Sequence, residues 1–101
     1  MSNVLKDIAV LLFSAGEEIE KKAGEFRKQR EERYGEFEEK MKEKTDEIKS
    51  RLEKEMDKAK GNLAEFSEKL GLATQKEVDD VKSKIDELSA KIDSLVDALK
   101  K

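Results

Sequence analysis

The sequence predicts an all-α, elongated chain. It has a long amphipathic helix with an eleven-residue repeat, then a short C-terminal heptad helix that joins an oligomeric coiled-coil bundle. Three observations lead there. The 101 residues include no proline and only five glycines, while 47% are charged, which is the profile of long helices. Apolar residues recur in steps of 4, 4 and 3 from Val4 to Leu70. From Val78 onward the steps change to 3 and 4.

Residues 1–13 read as a short apolar helix. Val4, Leu5, Ile8, Leu11, Leu12 and Phe13, with Ala9 and Val10 between them, cover too broad an arc to be left in water. Such an arc is expected to bury in an oligomer core or against a lipid-like surface. The run is far shorter than the roughly 20 residues of a membrane span. Asp7 cancels Lys6, so the positive flank of a secretion signal is missing and a cytoplasmic location is expected.

Residues 14–70 read as a charged amphipathic helix. Ser14 and Glu17 fit a capping box at its start. The repeat is visible in Ala23-Gly24-Glu25-Phe26, Tyr34-Gly35-Glu36-Phe37 and Thr45-Asp46-Glu47-Ile48. Its stripe includes Ile19, Phe26 and Phe37, and only Arg30, Thr45 and Ser67 interrupt it with polar groups. Eleven residues in three turns is about 3.67 per turn, so the stripe stays on one face of a nearly straight helix. Glu36–Lys40, Glu38–Lys42, Glu47–Arg51 and Glu65–Lys69 are acid-first pairs one turn apart on the solvated side. Gly24 and Gly35 lie off the stripe, where they permit bending or the close approach of another backbone.

Residues 71–74 form the turn. Gly71 suits the left-handed position after a helix, and Leu72 can fold back on Phe66. Thr74 and Glu77 make a second capping box. Residues 75–101 then carry a seam of Val78, Val81, Ile85, Leu88, Ile92, Leu95 and Leu99. This spacing predicts self-association of two to four chains. The alternative is a hairpin in which the last helix folds back on residues 44–70.

Chemistry-bearing constellations are scarce. Cysteine and histidine are absent, so there is no thiolate nucleophile, no sulfur or imidazole metal site and no histidine base. The carboxylates lie on the charged face rather than in an enclosed pair. Neither catalysis nor a cofactor, metal or small-molecule substrate is expected. With a net charge of −3, no domain-wide basic field exists for nucleic acid. The one locally positive stretch is Arg27-Lys28-Gln29-Arg30…Arg33.

The order of parts, with Leu70-Gly71-Leu72-Ala73-Thr74-Gln75-Lys76-Glu77-Val78 opening the heptads, resembles the phasin superfamily of polyhydroxyalkanoate granule-associated proteins. The chain departs from that pattern in its shortness and in a middle helix rich in Glu and Lys rather than Ala. The resemblance implies a non-enzymatic protein that coats or organises a hydrophobic granule. The residues from Val78 to Leu99 would oligomerise, and the stripe from Val4 to Leu70 would meet the hydrophobic phase. The same physics allows a helical scaffold or adaptor whose stripe is buried in its own homo-oligomeric bundle.

Overall fold

The computed structural model of the chain describes residues 3–14 and 25–100. Helix α1 spans Asn3–Phe13. A 3-10 turn over Glu25–Gln29 leads into α2, Arg30–Glu43. Helices α3 (Thr45–Gly61), α4 (Leu63–Lys69) and α5 (Gln75–Leu99) follow. The described residues contain no strand.

The expected single helix over residues 14–70 is broken at Lys44 and Asn62. A straight helix from residue 30 to 69 would be about 60 Å long. The molecule measures only 41 × 23 × 23 Å, with a radius of gyration of 13.0 Å. The elongated shape expected from the repeat is therefore replaced by a bundle, because the stripe folds onto partners within the same chain. The stretch 15–24, with Ile19, Gly24 and the Ser14–Glu17 box, lies outside the described residues except for Ser14. There the Ser14 N–H donates to the Val10 carbonyl at 2.9 Å, extending the last turn of α1.

The turn into α5 is written locally. Gly71 has φ +79°. Its N–H reaches the Glu68 carbonyl at 2.9 Å and the Leu72 N–H reaches Ser67 at 2.9 Å, so the last carbonyls of α4 are satisfied. Three residues later the Thr74 hydroxyl accepts from the Glu77 N–H at 3.2 Å, and the Glu77 carboxylate accepts from the Thr74 N–H at 3.1 Å. A stop and a start this close send α5 back along the chain. Lys60–Asp86 (2.6 Å), Lys49–Asp93 (3.6 Å) and Lys100–Asp46 (2.7 Å) mark its antiparallel course beside α3. The hairpin is thus the arrangement adopted within the chain. These pairs are exposed and screened by solvent, so apolar contact holds the hairpin together.

Helix α1 supplies the centre. Leu5 and every residue from Asp7 to Ser14 are buried, and α2, α3 and α5 all pack on it. A helix apolar all round has to be covered all round. The sequence had left that cover to an oligomer or a lipid-like layer; the structure supplies it from the same chain. The stripe residues Tyr34, Phe37, Met41, Ile48, Leu52, Met56, Ala59 and Leu70 face inward, and Phe66 beside the stripe joins them. On α5 the buried series is Val81, Ile85, Leu88, Ile92 and Val96, with Leu95 and Leu99 only half-buried. A strict heptad would have buried Leu95. The face drifts to Val96 instead, as it does on a straight helix with 3.6 residues per turn. Gly35 is exposed and a Cβ there would meet nothing within 4 Å, so no backbone approaches it closely.

Gly71→Ala places a Cβ in the left-handed region and lowers stability by about 1 kcal/mol or more. The expected fall in thermal midpoint is about 4–8 °C, read by circular dichroism. The hydrogen bond from the Thr74 backbone holds the Glu77 carboxyl below its ordinary value. Its contribution is present at neutral pH and is lost as the pH falls below the ordinary glutamate range and through the depressed one. Glu77→Gln should flatten that part of the stability–pH profile, and an unchanged acid limb would remove this assignment.

Candidate surface-binding segments and their polar clasp

Every described residue assigned to surface contact is inside the bundle or at its edge. Leu5, Ile8, Leu11, Leu12, Phe13 and Phe37 are buried and Val4 is half-buried. Ile19 and the side chain of Phe26 lie outside the described residues. The seam assigned to self-association is likewise covered in the chain. Val81, Ile85, Leu88 and Ile92 are buried, and Val78, Leu95 and Leu99 are half-buried. Among the described residues the large apolar side chains are therefore buried or half-buried, and the exposed positions are mostly charged.

Two polar groups inside that interior explain each other. Asp7 is the lone acid on α1 and only 2% exposed. Arg30 is the charged residue that interrupts the stripe. Its Nε lies 2.5 Å from Asp7 Oδ1 and its Nη2 lies 3.1 Å from Oδ2, a two-pronged grip. Arg27 adds a third bond, Nε to Oδ2 at 3.1 Å, and its Nη2 donates to the Leu70 carbonyl. One carboxylate is thereby held by two guanidinium groups, and the same cluster ties α1 to the end of α4.

The clasp continues along α1. Lys6 Nζ lies 3.2 Å from Glu31 and 5.2 Å from the centre of the Tyr34 ring. At the other end Phe13 meets Phe37 at 5.8 Å, and Phe37 meets Tyr34 at 5.6 Å. Arg51 donates to the Phe13 carbonyl, one of the acceptors a helix end leaves unpaired, and sits over the Phe13 ring at 5.4 Å. Arg51 is thus turned to α1 rather than to Glu47. Lys40 pairs with Glu43 and Glu36 with Arg33, three residues apart rather than the four expected. The Ser14 and Ser67 hydroxyls are buried without a hydrogen-bond partner among the described residues.

The two junctions differ from the turn at Gly71. Neither Lys44 nor Asn62 caps the following helix through its side chain. At the first junction the Thr45 hydroxyl donates to the Met41 carbonyl at 2.6 Å. In an unbroken helix that carbonyl would accept the Thr45 N–H. The 4-4-3 spacing in the sequence meanwhile continues across both breaks, through Phe37, Met41, Thr45, Ile48, Leu52, Met56, Ala59, Leu63, Ser67 and Leu70, all of them buried except the half-buried Thr45 and Leu63.

The sequence had shown Asp7 and Arg30 only as exceptions, one acid in an apolar helix and one base in an apolar stripe. Two opposite exceptions in one chain are the signal that pairs them. Among the described residues no group of three or more acidic, cysteine or histidine side chains is placed to hold a metal ion. No described helix is long and apolar enough to cross a membrane.

The sequence model of one protein family, described as poly(hydroxyalcanoate) granule associated protein (phasin), matches residues 6–97. No curated protein and no solved structure matches the chain.

Arg30→Met strands a buried carboxylate on the partly solvated Arg27, and the expected loss is about 3 kcal/mol in urea unfolding. Asp7→Leu combined with Arg30→Met removes both charges and should recover most of that loss. A double variant no more stable than Arg30→Met would show that the grip itself, not the stranded charge, sets the energy.

Proposed function

This chain belongs to the phasin family, and we propose that it is a coat protein that opens its own bundle on a hydrophobic polymer granule. Membership implies a granule-associated, non-enzymatic protein. The finer reading is that α1 and the α2–α4 stripe leave the bundle interior and lie on the granule surface.

The register of the stripe carries this reading. An encoded helix stop frees the next helix from the phase of the last one, yet the 4-4-3 spacing runs unbroken through Lys44 and Asn62. Neither junction has a side-chain cap to the backbone. At Lys44 no helix-breaking residue stands in the sequence, so packing bends the chain there, while Gly61-Asn62 makes the second junction a locally weak point. Straightened, residues 30–69 make one helix about 60 Å long with a single apolar face. Each large side chain moved from the core to an apolar surface keeps the roughly 1.5–3 kcal/mol that burial contributes. In water the same opening forfeits it. The bundle is thus closed in solution and opens where an apolar surface replaces its interior.

Self-association belongs to the same opened state. The face bearing Val81, Ile85, Leu88 and Ile92 is covered by the rest of the chain when closed and uncovered on opening. It then pairs with its counterpart in two to four chains. The scaffold reading, with the stripe buried between chains, has less support because one chain already buries it.

Thr45→Pro tests the opening. Thr45 is the first residue of α3, where proline is tolerated, but proline inside a straight helix costs about 3 kcal/mol. The variant should keep the closed fold and lose polyester-particle binding at least tenfold. Spin labels at Glu32 and Glu68 should separate to about 55 Å on particles, beyond what the closed molecule allows. Wild-type binding by Thr45→Pro, or an unchanged label distance on bound protein, would sink the proposal.

A further inference from the structure

We propose that Arg27 and Arg30 form an anion-binding site that Asp7 occupies in the closed chain, and that in the opened chain it takes the phosphodiester head group of an anionic lipid layer. This rests on the opening described above and adds a second chemical specificity to it.

The site is already built around an anion. Asp7 accepts from Arg30 at 2.5 and 3.1 Å and from Arg27 at 3.1 Å. The Asp7 side chain is 3% exposed, against 19% for Arg30 and 38% for Arg27. The donors thus reach solvent and the acceptor does not. Asp7 travels with α1. When α1 leaves, the two guanidinium groups stay on the 3-10 turn and at the start of α2, and Arg27 loses the Leu70 carbonyl as α4 swings away. A guanidinium pair left without an anion beside an apolar surface is costly. A phosphodiester offers the same paired oxygens and the same charge sign as the lost carboxylate, and the arginine fork fits both.

Position selects a lipid over a free ion. The arginines lie between the apolar α1 and the aromatic stripe residues Tyr34 and Phe37. Apolar side chains on both sides enter the acyl region while the guanidinium groups reach back to the head groups. Inorganic phosphate supplies the charge without the apolar layer, so alone it leaves the chain closed.

The test compares vesicles of phosphatidylglycerol and phosphatidylcholine with vesicles of phosphatidylcholine alone. Asp7→Asn removes the internal competitor and should raise affinity for the anionic vesicles about tenfold, with a smaller gain on neutral ones. Adding Arg27→Gln and Arg30→Gln to Asp7→Asn should cut anionic-vesicle affinity about 10–30-fold while polyester-particle binding persists. Adding Arg27→Lys and Arg30→Lys instead keeps the charge without the fork and should fall between. If either combined variant binds anionic vesicles as Asp7→Asn does, the site is overturned. The lysine variant decides the matter should the glutamine variant fail to fold. Wild-type protein that binds polyester particles but shows no anionic preference overturns this inference alone. Failure to bind particles at all overturns the opening on which it rests.

Discussion

The covering of α1 sets the shape of the whole molecule. An eleven-residue helix is only about 16 Å long, and here its apolar side chains point in every direction. No single straight helix can cover such an element, because a rod touches it along one line. Covering it takes helices on several sides, and the chain supplies them by bending the α2–α4 region and returning α5. The breaks at Lys44 and Asn62 follow from this requirement. A 60 Å helix would run past α1 and leave most of its own stripe in water.

Once α1 is central, its one carboxylate becomes the next constraint. A buried Asp7 needs counter-charge and hydrogen bonds, and the stripe answers by giving up an apolar position at Arg30. Arg27 completes the shell and also satisfies a carbonyl at the end of α4. Buried ion pairs add little net stability compared with apolar replacements, but they are specific about partner and position. Here the specificity fixes how α1 sits against α2. Lys6 meets Glu31, Asp7 meets Arg30 and Phe13 meets Phe37, so the two helices run in the same sense.

Local chemistry made the end of α4 and the start of α5 legible in the sequence. Gly71, Thr74 and Glu77 act on backbone groups within a few residues of themselves, and the structure places each as its type requires. Periodicity likewise marked the buried face of α2–α4, since Phe37, Met41, Ile48, Leu52 and Met56 all lie inside. What periodicity does not encode is the identity of the cover. A stripe satisfied by its own chain, by another chain or by a polymer has the same spacing. The break at Lys44 was illegible for a related reason: no cap or helix-breaker stands there, and its cause is the packing of distant helices. At the second break Gly61-Asn62 offers a local stop, but the 4-4-3 spacing running through it hides that signal. The Asp7–Arg30 pair spans 23 residues, and only the folded bundle sets its register. On α5 the preference for Val96 over Leu95 depends on whether the partner supercoils, which one strand of sequence does not state.

The two parts of the closed bundle are held by different forces, and this orders the way it comes apart. The α2–α4 stripe is held by apolar contact, which an apolar surface replaces without loss. Helix α1 is held by apolar contact and also by the grip on Asp7 and the Arg51 bond to the Phe13 carbonyl. A hydrophobic surface offers nothing to a carboxylate or to two guanidinium groups. Straightening the stripe therefore exchanges mostly apolar contact for apolar contact, at the loss of the Arg51 bond to Phe13 and the Arg27 bond to Leu70. Releasing α1 exposes the Asp7 ion pair, charge that the surface does not compensate. In the proposed opening the apolar layer acts first on the stripe. The release of α1 waits on something that can take over the arginines. A carboxylate set in an otherwise apolar helix thus makes that helix the last to leave.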